Sequence, residues 1–234
     1  MEEYFPFQLD NFQIEAIEAI NRGNSVVLTA PTGSGKTIIG EFAIYRGLSH
    51  GSRVFYTTPL KALSNQKFRD FSTQYGEEKV GLLTGDLSIN RDAPILVMTT
   101  EIFRNMLYGE FDEFDDPLIN LESVILDECH YMNDPQRGTV WEETIIHCPL
   151  RTQLIALSAT VSNADQLQRW IEKVHGPTVL VNSNKRPVPL DFIFCSAKGL
   201  HPLLNNKGNG IHPNCKIWRA PKGQKKKGKI GRIM

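Results

Sequence analysis

Short runs rich in Val, Ile and Leu recur at residues 25–30, 53–58, 79–84, 94–99, 123–127, 153–158 and 178–181. Each is apolar almost without interruption, the pattern of a strand buried on both faces. Between most of them lie the amphipathic stretches FQIEAIEAIN, KTIIGEFAIYRGL, LKALSNQKFRDF, EIFRNMLYG, TVWEETIIHC and DQLQRWIEKV. In the first of these, Phe12, Ile14, Ala16, Ile17 and Ile20 fall on one stripe at helical spacing. Strands alternating with helices predict an α/β fold with a mostly parallel sheet and helices on both faces, because parallel strands need crossover connections.

The alternation fades after Lys185. RPVPL and FIFCSA predict one last extended segment, and the remainder, LLNNKGNGIHPNCKIWRAPKGQKKKGKIGRIM, has no helical or strand period. The expected organisation is therefore one domain over residues 1–191 and a basic, flexible Gly/Lys/Pro-rich linker or tail over 192–234. Charge divides at the same place. All 26 acidic residues lie at or before Asp191 and ten of the 26 basic ones follow it, so a net charge of zero conceals −10 and +10 segments.

A chain of 234 residues with 41% hydrophobic composition can bury a sizeable core. The start, MEEYFPFQLD, lacks a basic region followed by an apolar one, and no run approaches the ~18 apolar residues of a membrane span. The expectation is a soluble cytoplasmic protein without membrane contact. Cys129, Cys148, Cys195 and Cys215 show no C-x-x-C spacing and are read as free thiols. Cys195, His201, His212 and Cys215 can be drawn as a zinc set, but their irregular gaps favour ordinary core and loop positions.

The first apolar run, SVVLTA, leads directly into PTGSGKT and then a helical stretch. The phosphate-loop pattern G-x-x-x-x-G-K-[ST] is met at Gly35, Lys36 and Thr37, with Ala30 in place of the first glycine. Pro31, Thr32, Gly33 and Ser34 complete the loop. Gly33 and Gly35 let its amides turn inward, and the helix adds its positive N-terminal end, so a triphosphate such as ATP meets converging donors. Lys36 would reach the outer phosphates and the Thr37 hydroxyl would ligate Mg²⁺.

Asp127, Glu128, Cys129 and His130 follow one another in VILDECHYMN, which admits a metal knot, a Cys/His nucleophile pair or an acidic strand end beside a nucleotide. If this run is a parallel strand, its carboxyl end opens on the same sheet edge as the phosphate loop, where ligands of open α/β sheets bind. Asp127 is then placed to hold Mg²⁺ through water and Glu128 to orient and deprotonate an attacking water. Alternation of side chains along a strand argues against convergence of all four residues on one ion, and against a Cys129/His130 dyad. Cys129 reads as a small buried residue.

APTGSGKT (30–37), DECH (127–130) and SAT (158–160) resemble the motifs of superfamily 2 helicases. FQLDNFQIEAI, TTPLKALSNQK, LLTGD, MTTEIFRNMLY and LSATVSNADQLQRWI resemble, more closely, superkiller-type DExH RNA helicases, including bacterial and plastid relatives, over residues 5–191. The resemblance implies a RecA-like three-layer sandwich, the first of two such domains, acting as an ATP-dependent helicase with ATP and Mg²⁺. It implies that Gln13 reads the adenine edge; Phe7 stacks near the base or simply packs. It implies nucleic-acid contacts at Pro59, Lys61, Ala62, Thr84, Gly85, Asp86, Thr99, Thr100 and Glu101, the Thr99–Thr100 pair reading equally as a plain helix cap. It implies that Ser158 and Thr160, joined by His130, couple the nucleotide site to strand movement.

The implied partners are RNA, as a single strand or a duplex with an overhang, and a second RecA-like domain in cis or in trans. DNA is the alternative nucleic acid, and an ATP-switched RNA clamp without catalysis is an alternative function; a phosphate-loop kinase is disfavoured for want of an acceptor pocket. A plastid location is the alternative to the cytoplasm in a plant or alga. Nothing after Asp191 has the length or alternation of a second RecA-like domain, so this chain alone is expected to be a weak ATPase without unwinding. The basic run KGQKKKGK, close to Trp218, reads either as a solvated segment or as a nonspecific RNA contact. GKIGRIM echoes an arginine motif but follows no buried strand, and is treated as chance.

Overall fold

The computed structural model describes residue 5 and residues 7–109, 116–135, 137–196, 199–205, 210–212 and 215. Their order is α1 (Asn11–Asn21), β1 (Ser25–Thr29), α2 (Thr37–Ser49), β2 (Arg53–Thr58), α3 (Lys61–Tyr75), β3 (Val80–Leu83), β4 (Ser88–Ile89), β5 (Ile95–Thr99), α4 (Thr100–Leu107), β6 (Leu121–Leu126), α5 (Gly138–His147), β7 (Gln153–Ser158), α6 (Ala164–Val174), β8 (Thr178–Asn182), β9 (Ile193–Ser196) and β10 (Gly199–Pro202). The chain divides into two compact units, residues 1–187 and 188–234.

In the first unit the strands β4-β3-β5-β2-β6-β7-β1-β8 lie side by side in that order. Every neighbouring pair is parallel except β3 with β4. The two-residue periodicity of strands decides which helix meets which side chain. Val26 and Leu28 of β1 face Ala16, Ile17 and Ile20 of α1, Ile39 and Ala43 of α2 and Phe71 of α3. Val27 points the other way, into a cluster with Phe103 of α4, Trp141 and Ile145 of α5 and Ile171 of α6. Three layers result, and β1, β5 and β7 are buried along their whole length. Each fully buried Val, Leu or Ile contributes roughly 1.5–3 kcal/mol, so the sheet is the rigid part on which loops can be held.

The seven apolar runs all become strands. The third turns back on itself: β4 is two exposed residues paired antiparallel with β3, too short to leave a periodic signature. The run through the DECH segment ends one residue earlier than expected, at Leu126. In the second unit, Ile193–Ser196 is a strand within the expected extended segment, whose earlier part, residues 186–190, is not; Gly199–Pro202 pairs with it antiparallel although its Gly and Pro gave no strand signal. KGQKKKGK, Trp218 and GKIGRIM lie outside the described residues. No helix among the described residues is long and apolar enough to cross a membrane.

Candidate active site

Only β7 separates β1 from β6, and all three are parallel, so the loop after β1 and the acids after β6 emerge on one edge of the sheet. Thr32, Gly33, Gly35, Lys36 and Thr37 line one cavity of about 430 Å³ with Asp127 and Glu128; Leu63, Gln66 and Lys67 of α3 close its far wall.

Gly33 and Gly35 sit at φ 81° and 82°, where a side chain is strained. A Cβ on Gly35 would also lie 2.9 Å from Gln13 Nε2. That contact is a tether: Gln13, buried near the start of α1, donates from Nε2 to the Gly35 carbonyl at 3.2 Å and accepts the Asp10 N–H at 2.8 Å. The Ala30 N–H donates to the Ser158 carbonyl at 3.1 Å, joining the loop to the end of β7. Lys36 Nζ folds back onto the carbonyls of Ala30 and Pro31, at 3.0 and 3.2 Å. Burial pushes its pKa down, opposed by the nearby charges of Glu128 and Asp127. Ser34 Oγ is buried with no hydrogen-bond partner among the described residues.

Asp127 is held at both oxygens. Oδ1 accepts the Glu128 N–H at 2.9 Å and Oδ2 accepts the Tyr56 hydroxyl at 2.8 Å. Tyr56 is fully buried, and burial, followed by the Asp127 charge, raises its pKa well above the usual phenol value. Glu128 adopts the left-handed region at φ 52°, and Cys129–Asn133 continue as a 3-10 turn. The expectation of strand alternation through DECH is therefore corrected, because the strand has already ended. What excludes Cys129 as a nucleophile is its burial within the apolar cluster, which pushes its thiol up to about 12. No group of three or more His, Cys, Asp or Glu side chains converges as a metal site among the described residues.

His130 Nδ1 lies 3.2 Å from Glu128 Oε2 and 3.4 Å from the Ala159 N–H. One ring nitrogen cannot serve both: unprotonated it accepts from Ala159, protonated it donates to Glu128. His130 thus stands between the DECH turn and the SAT loop. Ser158 is buried, its hydroxyl donating to the Ala159 carbonyl at 2.9 Å, whereas Thr160 is exposed.

The residues expected to face nucleic acid divide into two groups. Lys61 and Ala62 are exposed at the N-terminus of α3, and Gly85 and Asp86 are exposed in the turn between β3 and β4. The Lys61 ammonium pairs with Asp86, which also accepts the Thr84 hydroxyl at 3.0 Å; these bonds hold the Asp86 carboxyl below its usual range. Pro59 and Thr84 are buried, and Thr99 is the N-cap of α4 without a side-chain hydrogen bond to it. Two of these side chains are engaged with the protein itself. Thr100 is fully buried with its hydroxyl on the Thr58 carbonyl at 3.3 Å, so that hydroxyl is not presented to a phosphate. The Glu101 carboxylate is paired with the Arg137 guanidinium.

Sequence reasoning passed over Tyr56, Lys67 and Arg137. Lys67 Nζ is 3.5 Å from the Thr37 hydroxyl and 5.5 Å from the Tyr56 ring centre. It also missed a second, polar cavity of about 750 Å³ bounded by Gln8, Asp10, Ser34, Asn182, Lys185 and Arg186. Phe7 does not line it; it faces Glu41, Tyr45 and Phe5 in a separate recess.

A family model described as DEAD/DEAH box helicase matches residues 10–167. The chain belongs to the DEAD/DEAH box helicase family. It is 53% identical over 210 residues to the DExH-box ATP-dependent RNA helicase DExH15, chloroplastic, of Arabidopsis thaliana, covering 89% of this chain and 18% of that protein. It is 52% identical over 213 residues to the probable helicase HelY of Mycobacterium leprae, with 89% and 23% covered. To the antiviral helicase SKI2 of Saccharomyces cerevisiae it is 44% identical over 211 residues, with 90% and 16% covered. The chain thus spans about a fifth of the length of these relatives. Among solved structures, the Mycobacterium smegmatis helicase Lhr bound to ssDNA and AMP-PNP matches with a TM-score of 0.58 and 28% identity, over 74% of this chain and 25% of that one. The helicase MrfA bound to DNA and AMPPNP shares the fold, with a TM-score of 0.62 at 22% identity over 76% and 27%.

Proposed function

We propose that this chain is the ATP-binding and ATP-hydrolysing domain of a DExH-type, ATP-dependent RNA helicase. The observation that carries the reading is the convergence of Lys36, Thr37, Asp127 and Glu128 on one cavity at the carboxyl edge of the sheet. The name of the Arabidopsis relative, at 53% identity, favours RNA over DNA.

On this reading the loop amides and Lys36 take the triphosphate, Lys36 exchanging the carbonyls of Ala30 and Pro31 for phosphate oxygens. The tether from Gln13 holds the Gly35 turn of that loop. The Thr37 hydroxyl and the Asp127 carboxylate supply the hard oxygens that Mg²⁺ requires, Asp127 through water. When bound, Mg²⁺ would neutralise charge developing on the outer phosphates. Glu128, at the mouth of the same cavity, orients and deprotonates the attacking water. His130, Ser158 and Thr160 pass the state of the site to the nucleic-acid face, where Lys61, Ala62, Gly85, Asp86 and Thr99 border the phosphate backbone.

Full turnover then requires a second RecA-like domain, in cis or in trans, whose arginines are worth ~10³–10⁵ in rate in comparable enzymes. Residues 1–191 serve as the nucleotide domain, with 192–234 as the start of a connection, in a protein of the cytoplasm or of a plastid. Lys36→Ala should abolish binding of an ATP analogue to this chain. Glu128→Gln should keep that binding while stopping hydrolysis in the two-domain protein, because it removes the base and leaves the metal site. Undiminished hydrolysis by Glu128→Gln would remove the assignment, and unwinding of RNA against DNA duplexes decides the substrate.

A further inference from the structure

Arg137 lies beyond the DECH motif and outside every residue assigned above to nucleotide or nucleic acid. Its Nη2 donates to the Pro59 carbonyl at 2.6 Å and the guanidinium pairs with the Glu101 carboxylate. Pro59 precedes Leu60, the N-cap of α3, whose first residue is Lys61; Glu101 is the second residue of α4, whose N-cap is Thr99. One side chain, about one-third exposed, therefore bridges the two loops that border the proposed nucleic-acid face. The planar guanidinium suits this because it offers several donors in a fixed fork, which an ammonium does not.

The same residue is wired to the nucleotide site by backbone. The Tyr131 N–H donates to the Glu128 carbonyl at 3.0 Å, Asp134 N–H to Tyr131 at 2.9 Å, and Arg137 N–H to Asp134 at 3.3 Å. Each bond spans three residues, so successive hydrogen bonds link Glu128 to Tyr131, Tyr131 to Asp134 and Asp134 to Arg137. Gly138 packs so tightly behind it that a Cβ would sit 2.3 Å from the Met132 carbonyl oxygen.

We propose that Arg137 is a positioning residue that sets the spacing of the Pro59–Lys61 and Thr99–Glu101 loops according to the state of the DECH turn, and so couples nucleic-acid affinity to nucleotide state. The coupling half rests on the helicase reading; the clamp itself does not. The clamp is tested on the ligand-free chain by hydrogen exchange at amides 60–64 and 100–104. Arg137→Ala should speed exchange in both segments, with the strands unchanged; unaltered protection in either segment overturns the clamp.

The coupling is tested in the full-length protein. Arg137→Ala should raise the RNA concentration for half-maximal ATPase stimulation about 10-fold, leaving unstimulated turnover and the KM for ATP within about twofold, and Arg137→Lys should fall between. An unchanged half-maximal RNA concentration, or unstimulated turnover falling in equal proportion, overturns it. Wild-type protein without RNA-stimulated turnover would sink the helicase reading while leaving the exchange result to decide the clamp. If Arg137→Ala does not fold, Glu101→Gln, which cuts only one arm of the clamp, should loosen residues 100–104 more than 60–64; equal protection to wild type overturns the clamp.

Discussion

The Tyr56 hydroxyl donates to Asp127 Oδ2 at 2.8 Å, from β2 across to the residue that follows β6. The bond fixes the carboxylate whose other oxygen is taken by the Glu128 amide, so the acid that would face Mg²⁺ has one orientation before any ligand arrives.

Tyr56→Phe removes that restraint without changing the packed ring. The Mg²⁺ concentration for half-maximal ATP hydrolysis in the two-domain protein should rise roughly 10- to 100-fold, as when the outer partner of a metal ligand is lost. Thermal stability should fall by only about 1–2 kcal/mol, because Asp127 keeps its other hydrogen bond. A Mg²⁺ titration superimposable on wild type would detach Tyr56 from the metal site.

Cys129 and Cys148 are both buried, and burial pushes each thiol up to about 12. Their thiolate population at pH 8 is then about one part in ten thousand. Iodoacetamide should label exposed Cys195 in the native chain and reach Cys129 and Cys148 only after denaturant is added. Above about pH 9 an unfolded thiol gives up its proton while the native one keeps it, so the unfolded state binds fewer protons and stability falls as pH rises. The slope is about 1.4 kcal/mol per pH unit for each thiol until about pH 12. Denaturant midpoints measured from pH 8 to 11 should fall less steeply in the Cys129→Ala/Cys148→Ala protein than in wild type.

The parts of this fold legible in the sequence were those that repeat. The runs at β1, β5 and β7 are buried throughout, so composition alone marked them, and glycines at 33 and 35 announced a turn that only such residues make easily. What escaped depends on a single residue's conformation or on long-range partners. Glu128 takes a left-handed conformation that no propensity foretells, and it turns a presumed strand into a 3-10 turn. Tyr56 looks like any aromatic inside an apolar strand until β6 lies beside it. Arg137 and Glu101 are 36 positions apart, and nothing local pairs them. The D-x-x-Q spacing of Asp10 and Gln13 was readable as a helix-start signal, and attention to the base-reading role alone obscured it.

Thr100 tests whether burial or motif position governs its role. Its hydroxyl lies on the Thr58 carbonyl with no solvent exposure, so Thr100→Val should cost about 1 kcal/mol of stability. RNA affinity should change less than twofold, on the order of the error of additive stability effects at sites without a shared ligand. A loss of RNA binding larger than the loss of stability, measured by titration against thermal denaturation, would restore a direct phosphate contact.

Gln13 is the residue on which loop geometry and base recognition can be separated. Its side chain is spent at both ends, accepting the Asp10 N–H at 2.8 Å and donating to the Gly35 carbonyl at 3.2 Å, yet the amide nitrogen keeps one further N–H for a ligand. Gln13→Ala frees the loop at Gly35, a glycine at φ 82° whose backbone has wide conformational freedom to lose when the loop is held. The phosphates, common to all nucleotides, should feel this first: affinities for ATP and GTP analogues should fall together, about tenfold each, equivalent to the loss of a single hydrogen bond of about 1.4 kcal/mol. Gln13→Glu should be worse than Gln13→Ala, because it keeps the acceptor for Asp10 but sets a carboxylate oxygen against the Gly35 carbonyl oxygen. Isothermal titration with both analogues reads the difference, and a loss confined to ATP would confine Gln13 to the base.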